Sequence, residues 1–154
     1  MNYADIKFPD IANGTGIRVS LFVSGCRRHC PGCFNKETWD FAYGKPFGAN
    51  AICEIKKHLS KPYCTGLSIL GGEPLEPENR VELANLLYIV KEEYPDKTVW
   101  LYTGNKYEDI KNLEIMQYVD VVVDGEFVVA EKKQLPFRGS ANQRIINLGR
   151  TSNA

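Results

Sequence analysis

Apolar positions along the chain follow two periods, one of strands and one of helices. Residues 17–23, Ile17-Arg18-Val19-Ser20-Leu21-Phe22-Val23, are rich in β-branched and aromatic side chains and follow the turn-forming Asn13-Gly14-Thr15-Gly16, which predicts a first strand. Residues 49–60 place Ile52, Ile55 and Leu59 at helical spacing among Glu54, Lys56 and Lys57. Gly66-Leu67-Ser68-Ile69-Leu70 predicts a second strand that runs into Gly71-Gly72. Pro77 suits the first turn of a helix whose apolar side is Val81, Leu83, Leu86, Leu87 and Val90. A third strand follows over 97–102, ended by Thr103-Gly104, and a third amphipathic helix over 107–118 through Ile110, Leu113 and Met116. Asp120-Val121-Val122-Val123-Asp124 is almost wholly apolar, as in strands covered on both faces of a parallel sheet. Gly139-Ser140-Ala141-Asn142 predicts a turn, and residues 143–148 a last strand.

Strands alternating with helices imply a mostly parallel α/β sheet with right-handed crossovers. The chain's 154 residues contain no repeat and no dividing linker, so a single domain over 1–154 is expected. A closed eightfold barrel takes about 250 residues, and about five strands can make only a partial barrel, open along one side.

Composition narrows the function classes. Apolar residues make up 44% and charged residues 25%, ordinary values for a soluble globular protein. Nineteen basic residues balance nineteen acidic ones, so no global field favours nucleic acid or an anionic membrane. Asp5, Lys7 and Asp10 interrupt the start as no signal peptide would. No apolar run approaches the roughly 20 residues of a membrane span. A cytoplasmic location is expected. Five cysteines, an odd number with three of them close together, do not suit a disulfide scaffold. In a reducing compartment clustered thiols read as metal ligands.

The cluster is Cys26-Arg27-Arg28-His29-Cys30-Pro31-Gly32-Cys33, directly after the first strand and Ser24-Gly25. That is the carboxyl end of a strand, where α/β folds place ligands. Pro31 and Gly32 disfavour helix, so a compact loop can turn three thiolates towards one centre. Soft thiolates select zinc, copper(I) or iron–sulfur clusters. A structural zinc site needs a closing fourth ligand, commonly from a second short-spaced pair. Here Cys53 falls in a predicted helix and Cys64 at the start of a strand, each alone, and His29 is wedged against Cys30. Three cysteines at spacings of four and three suit a cubane whose fourth iron is not held by protein. An electron carrier or a zinc module stays open, and would need Cys53 or Cys64 to close the site. Arg27 and Arg28 add positive charge beside an anionic cluster, although loop arginines are ordinarily solvated.

The triplet, with Gly71-Gly72-Glu73-Pro74 one βα unit later, resembles the signature of the radical S-adenosylmethionine (SAM) superfamily. Residues 3–148 resemble, more closely, the activating components of anaerobic (class III) ribonucleotide reductases. The segments that carry this are 13–16 with Arg18, 21–26, 30–36, Thr38-Trp39, 71–75, 100–104, 120–125 and 138–144. Glu73 stands where that family more often has Asp, and Asn105 where an aromatic residue usually follows Thr-Gly. The resemblance implies a partial (β/α) barrel of the radical SAM type and a [4Fe-4S] cluster on Cys26, Cys30 and Cys33. It implies SAM contacts at Gly32, Cys33, Phe34, Gly71, Gly72, Glu73 and Thr103, with Gly104 on the same rim. The implied chemistry is reductive cleavage of SAM to methionine and a 5′-deoxyadenosyl radical. That radical takes hydrogen from a glycine of the anaerobic ribonucleoside-triphosphate reductase catalytic subunit, and a small reductant protein supplies the electron. Action on another glycyl-radical enzyme, or on a small molecule, is the nearest alternative. Asn35 and Trp39 read as local support for the cysteine loop. Asp124 with Glu126 reads as a strand-ending turn before an acid–base pair. Arg138 and Arg144 are candidates for the partner or for a carboxylate of SAM, against the default of salt-bridged arginines.

Overall fold

The structure, a computed structural model, describes residues 1–34 and 36–149, so Asn35 lies outside it. Nine strands are present among these residues: β1 (Asn2–Asp10), β2 (Ile17–Val23), β3 (Lys45–Pro46), β4 (Cys64–Gly71), β5 (Thr98–Tyr102), β6 (Val121–Asp124), β7 (Lys132–Leu135), β8 (Arg138–Ser140) and β9 (Arg144–Asn147). The helices are α1 (Ala49–Leu59), α2 (Pro77–Glu93) and α3 (Tyr107–Ile110). Seven strands form one sheet in the order β3-β1-β2-β4-β5-β6-β9, and β7 and β8 form a separate hairpin. β2, β4, β5 and β6 pair in parallel. β1 and β9 flank them antiparallel.

Because the parallel strands lie in sequential order, right-handed crossovers put their helices on one face. The strand period of two then sorts the side chains. Val19, Leu21, Val23, Leu67, Ile69, Val99, Leu101 and Val122 meet Ile55 and Leu59 of α1 and Leu83, Leu86, Leu87 and Val90 of α2 in one aliphatic core. The alternate residues face the other way and are polar or aromatic: Arg18, Ser20 and Ser68, with Trp100 over Val121 and Val123. The carboxyl ends of the parallel strands and this second face are where a site can form.

Several expectations are corrected. The third helix does not run over 107–118. Leu113, with ψ of 142°, leaves the helical region, so α3 ends at Ile110 and a 3₁₀ turn, Glu114–Tyr118, follows. Ile110, Ile115 and Met116 are buried all the same. Val81 is not on the apolar side of α2 but 71% exposed. The buried stripe is Asn79, Leu83, Leu86, Leu87 and Val90, and Val81 lies two residues from two of its members, on the far side of the helix. The main sheet holds seven strands, against about five expected, because antiparallel edges are added to the parallel centre. Gly139 and Ser140 belong to β8, leaving the turn to Ala141 and Asn142. Among the described residues no helix is long and apolar enough to cross a membrane.

Candidate functional site

The carboxyl ends of β2, β4, β5 and β6 open on a cavity of about 360 Å³. Cys26, Cys30 and Cys33 all line it, and all are free, half-buried thiols. Their loop is held by its backbone: Gly25 N donates to Thr38 O (2.7 Å), Cys26 N to Trp39 O (3.1 Å) and Cys33 N to Cys30 O (3.0 Å). His29, at φ 49°, stacks on Trp39 with ring centroids 4.3 Å apart. It is a packing residue of the loop, and Trp39 is the support expected of it. Burial pushes the thiols of Cys26 and Cys30 above their ordinary value. Cys53 is exposed on α1, Cys64 is buried at the opposite end of β4, and neither lines the cavity. Among the described residues no three His, Cys, Asp or Glu side chains converge on a single-ion centre. The triplet instead brings three soft donors to one cavity without a single-ion arrangement, which fits a cubane, since its thiolates bind separate iron atoms.

Gly71, Gly72 and Glu73 line the same cavity. A Cβ on Gly71, at φ 113°, would fall 2.5 Å from Val23 O, and one on Gly72 2.6 Å from Gly25 O. Only glycines let the ends of β2 and β4 approach this closely. Gly72 N donates to Val23 O (2.9 Å) and Glu73 N to Gly25 O (2.8 Å), which joins this turn to the cysteine loop. Glu73 is 4% exposed. Its carboxylate accepts from Leu75 N (2.9 Å), Thr103 Oγ1 (2.9 Å) and Gly104 N (2.7 Å). Burial nevertheless pushes its pKa up, against the pull of those bonds and of Arg28.

Neither loop arginine is merely solvated. Arg27 bridges Glu76 and Glu78 over the ring of Phe41. Arg28 reaches into the cavity, where Nη1 donates to Glu126 (2.8 Å), Nη2 to Asn105 Oδ1 (2.5 Å), and Nε sits 3.8 Å from Glu73 Oε1. It lies so close over Gly104 that a Cβ there would fall 2.3 Å from Nε. Asn105, of unassigned role in the sequence, joins Arg28 to Thr103, since its Nδ2 donates to Thr103 Oγ1 (3.0 Å). Asn79 was missed by sequence reasoning. Its Nδ2 donates to Ser24 O (3.2 Å) and Glu73 O (3.1 Å), tying α2 to both sides of the site. The available signal was a polar residue on the buried stripe of a helix.

Phe34 lines the cavity, 59% exposed, its ring 4.9 Å from that of Phe127. Thr103 lines it too, whereas Gly32 is exposed and does not line it; a Cβ there would fall 2.9 Å from Val129 Cγ2. Asp124 and Glu126 do not form a carboxylate pair. Asp124 accepts from Tyr107 N (2.8 Å) and Arg144 Nε (3.0 Å), while Glu126 meets Arg28. Arg144 also pairs with Glu108 (2.7 Å). Arg138 lines the cavity without a carboxylate partner among the described residues. Five buried side-chain atoms among the described residues lack a hydrogen bond, and four belong to cavity residues: Arg28 Nε, Trp39 Nε1, Tyr102 Oη and Arg138 Nε. Unmet polar groups gathered on one cavity are what a polar ligand would satisfy.

Residues 12–146 match the model of a family described as a 4Fe-4S single cluster domain. The chain is similar to anaerobic ribonucleoside-triphosphate reductase-activating proteins. It is 48% identical to that of Enterobacteria phage T4 over 149 residues, 94% of this chain and 93% of the relative. It is 40% identical to that of Pasteurella multocida (94% and 96% covered) and 38% identical to that of Escherichia coli K12 (96% and 99% covered).

Proposed function

The chain belongs to the anaerobic ribonucleoside-triphosphate reductase-activating proteins, and on that premise we propose that it is a radical SAM activase. It installs a glycyl radical on the catalytic subunit of the reductase, with a small reductant protein as electron donor, in the cytoplasm. In this reading residues 1–154 are one domain, and the open sheet is a partial barrel of the radical SAM type. The observation that carries it is one cavity lined by three free thiols and by a buried carboxylate, Glu73.

Cys26, Cys30 and Cys33 would hold a [4Fe-4S] cluster. When bound, that cluster supplies the electron for reductive cleavage of SAM, whose 5′-deoxyadenosyl radical takes a Cα hydrogen from glycine. The chain's own residues bind and orient. Glu73, held by three donors, offers its Oε1 side to the methionine ammonium group. Arg28, 3.8 Å away, is the cation placed to meet the adjacent carboxylate. Gly71 and Gly72 bring backbone close to the ligand, Thr103 fixes the rim, and the segment 32–34 with the Phe34 ring offers a face to adenine. Among them Glu73 and Thr103 are buried, which keeps water from the carboxylate.

The test is anaerobic reconstitution followed by mixing with SAM, reductant and the cognate reductase, read by EPR for a glycyl radical. Cys26→Ala, Cys30→Ala and Cys33→Ala each abolish methionine release, while Cys53→Ala leaves it largely intact. Retained cleavage in a triplet variant overturns the assignment. Loss of the cluster in Cys53→Ala or Cys64→Ala, with SAM leaving the EPR spectrum unchanged, would favour an electron carrier.

A further inference from the structure

Among the described residues two arginines line the cavity, and they differ in what holds them. Arg28 is engaged by Glu126, Asn105 and Glu73. Arg138 has one long bond, Nη1 to Gln143 O at 3.3 Å, and its buried Nε has no partner. A partly buried guanidinium without a carboxylate is costly unless an oxygen acceptor arrives.

The ammonium and carboxylate of an amino acid share one carbon, so the groups that receive them must be neighbours. Glu73 and Arg28 are neighbours, and Arg138 makes no hydrogen bond or ion pair with either. Arg138 instead projects from β8, on the hairpin that forms another part of the cavity wall. Its place there is fixed on both sides. Phe137 meets Trp100 edge-on with centroids 5.3 Å apart, and Gly139 packs so tightly that a Cβ would fall 3.1 Å from Phe127 and 3.2 Å from Phe34. Gln143 accepts from Gly139 N (2.8 Å) and Ser140 N (3.1 Å), clamping the strand end. The backbone that carries the guanidinium is therefore held in place, and its remaining donors are left for a second substrate.

That substrate, in the proposed function, reacts at the Cα of a glycine. Glycine has no side chain, so whatever places that carbon must grip the main chain on either side. Near the reacting atom the main-chain acceptors are carbonyl oxygens, and a planar guanidinium can donate to two at once. We propose that Arg138 is the main-chain-binding residue for the glycine-bearing segment of the reductase catalytic subunit. This rests on the activase reading and adds a place for its protein substrate.

The test uses full-length, cluster-loaded R138Q and R138K with the cognate catalytic subunit. Circular dichroism and cluster absorbance first establish that both variants are folded and loaded. Methionine release from SAM without the reductase stays within about twofold of the unsubstituted protein. Glycyl-radical yield at subsaturating reductase falls about tenfold or more, and direct binding of the catalytic subunit weakens by a similar factor. R138K fails to rescue because an ammonium cannot span two carbonyls. If methionine release and SAM binding fall in step with radical yield, Arg138 holds the carboxylate of SAM and the proposal is overturned. Unchanged subunit binding overturns it too. Absence of any radical with the unsubstituted protein would sink the activase reading itself, and the binding comparison would still decide the fate of Arg138.

Discussion

Arg18 is fully buried, and among the described residues it forms no ion pair with a carboxylate. Its guanidinium donates to Ser68 Oγ (2.8 Å), Thr98 Oγ1 (3.0 Å) and the carbonyls of Thr15, Leu67 and Thr98, with the Trp100 ring 5.7 Å away. Neutral oxygens stand in for water, and burial still draws its pKa down to about 10. Beside it, Asp10, 1% exposed, accepts from Ser20 Oγ (2.6 Å), Asn13 Nδ2 (2.7 Å) and Ala12 N (2.8 Å). Burial pushes its carboxyl upward, but these bonds and Lys7 outweigh it and hold the pKa below the ordinary 3.8. A pKa lowered by folding gives stability that is present above the unfolded value and lost as pH falls through the folded one. Asp10→Asn should therefore cost about 1–2 kcal/mol at neutral pH. It should also flatten the loss of stability as pH falls below about 4, the ordinary value of the carboxyl. Urea denaturation across that range is the check, and equally steep acid limbs in both proteins would refute it.

Among the elements, the four parallel strands and α1 were legible because apolar runs and spacing are local signals. β1 carries a signal as well, with exposed Asp5 and Lys7 alternating with partly buried Ile6 and Phe8, but it was not read as a strand. The face of α2 was misread at Val81 since an apolar residue alone does not fix the stripe; Asn79, polar and buried, marks the inward side. Val81→Lys should change stability by less than about 0.5 kcal/mol. Leu83→Ala should cost about 2–5 kcal/mol, and thermal melts of the pair test the assignment. The cysteine triplet and the Gly-Gly-Glu turn were visible as short motifs. Arg28 with Asn105 and Glu126 was not, because these contacts join residues 77 and 98 positions apart. Arg138 and Arg144 look alike in the sequence, and only packing separates the salt-bridged one from the one without an ion pair among the described residues.

At the scale of the molecule, the sheet is covered unequally. One face carries the helices and the aliphatic core, while on the other Phe137 of the β7–β8 hairpin turn rests on Trp100. Residues 132–135 are largely exposed, so this cover should open well below the global unfolding free energy. Phe137→Ala should speed amide exchange over 132–140 by at least about tenfold while leaving β2 and β4 protected. Uniform acceleration across the sheet would contradict that view. The same geography has a consequence for synthesis. The ribosome releases the thiols first, and the Glu126 that secures Arg28 emerges 98 residues behind it. At about 5–20 residues per second, a nascent chain carries three unsheltered cysteines for several seconds before the last parts of the cavity exist. Oxidation of those thiols is therefore a hazard of the unfinished chain more than of the folded one, in which all three are half-buried.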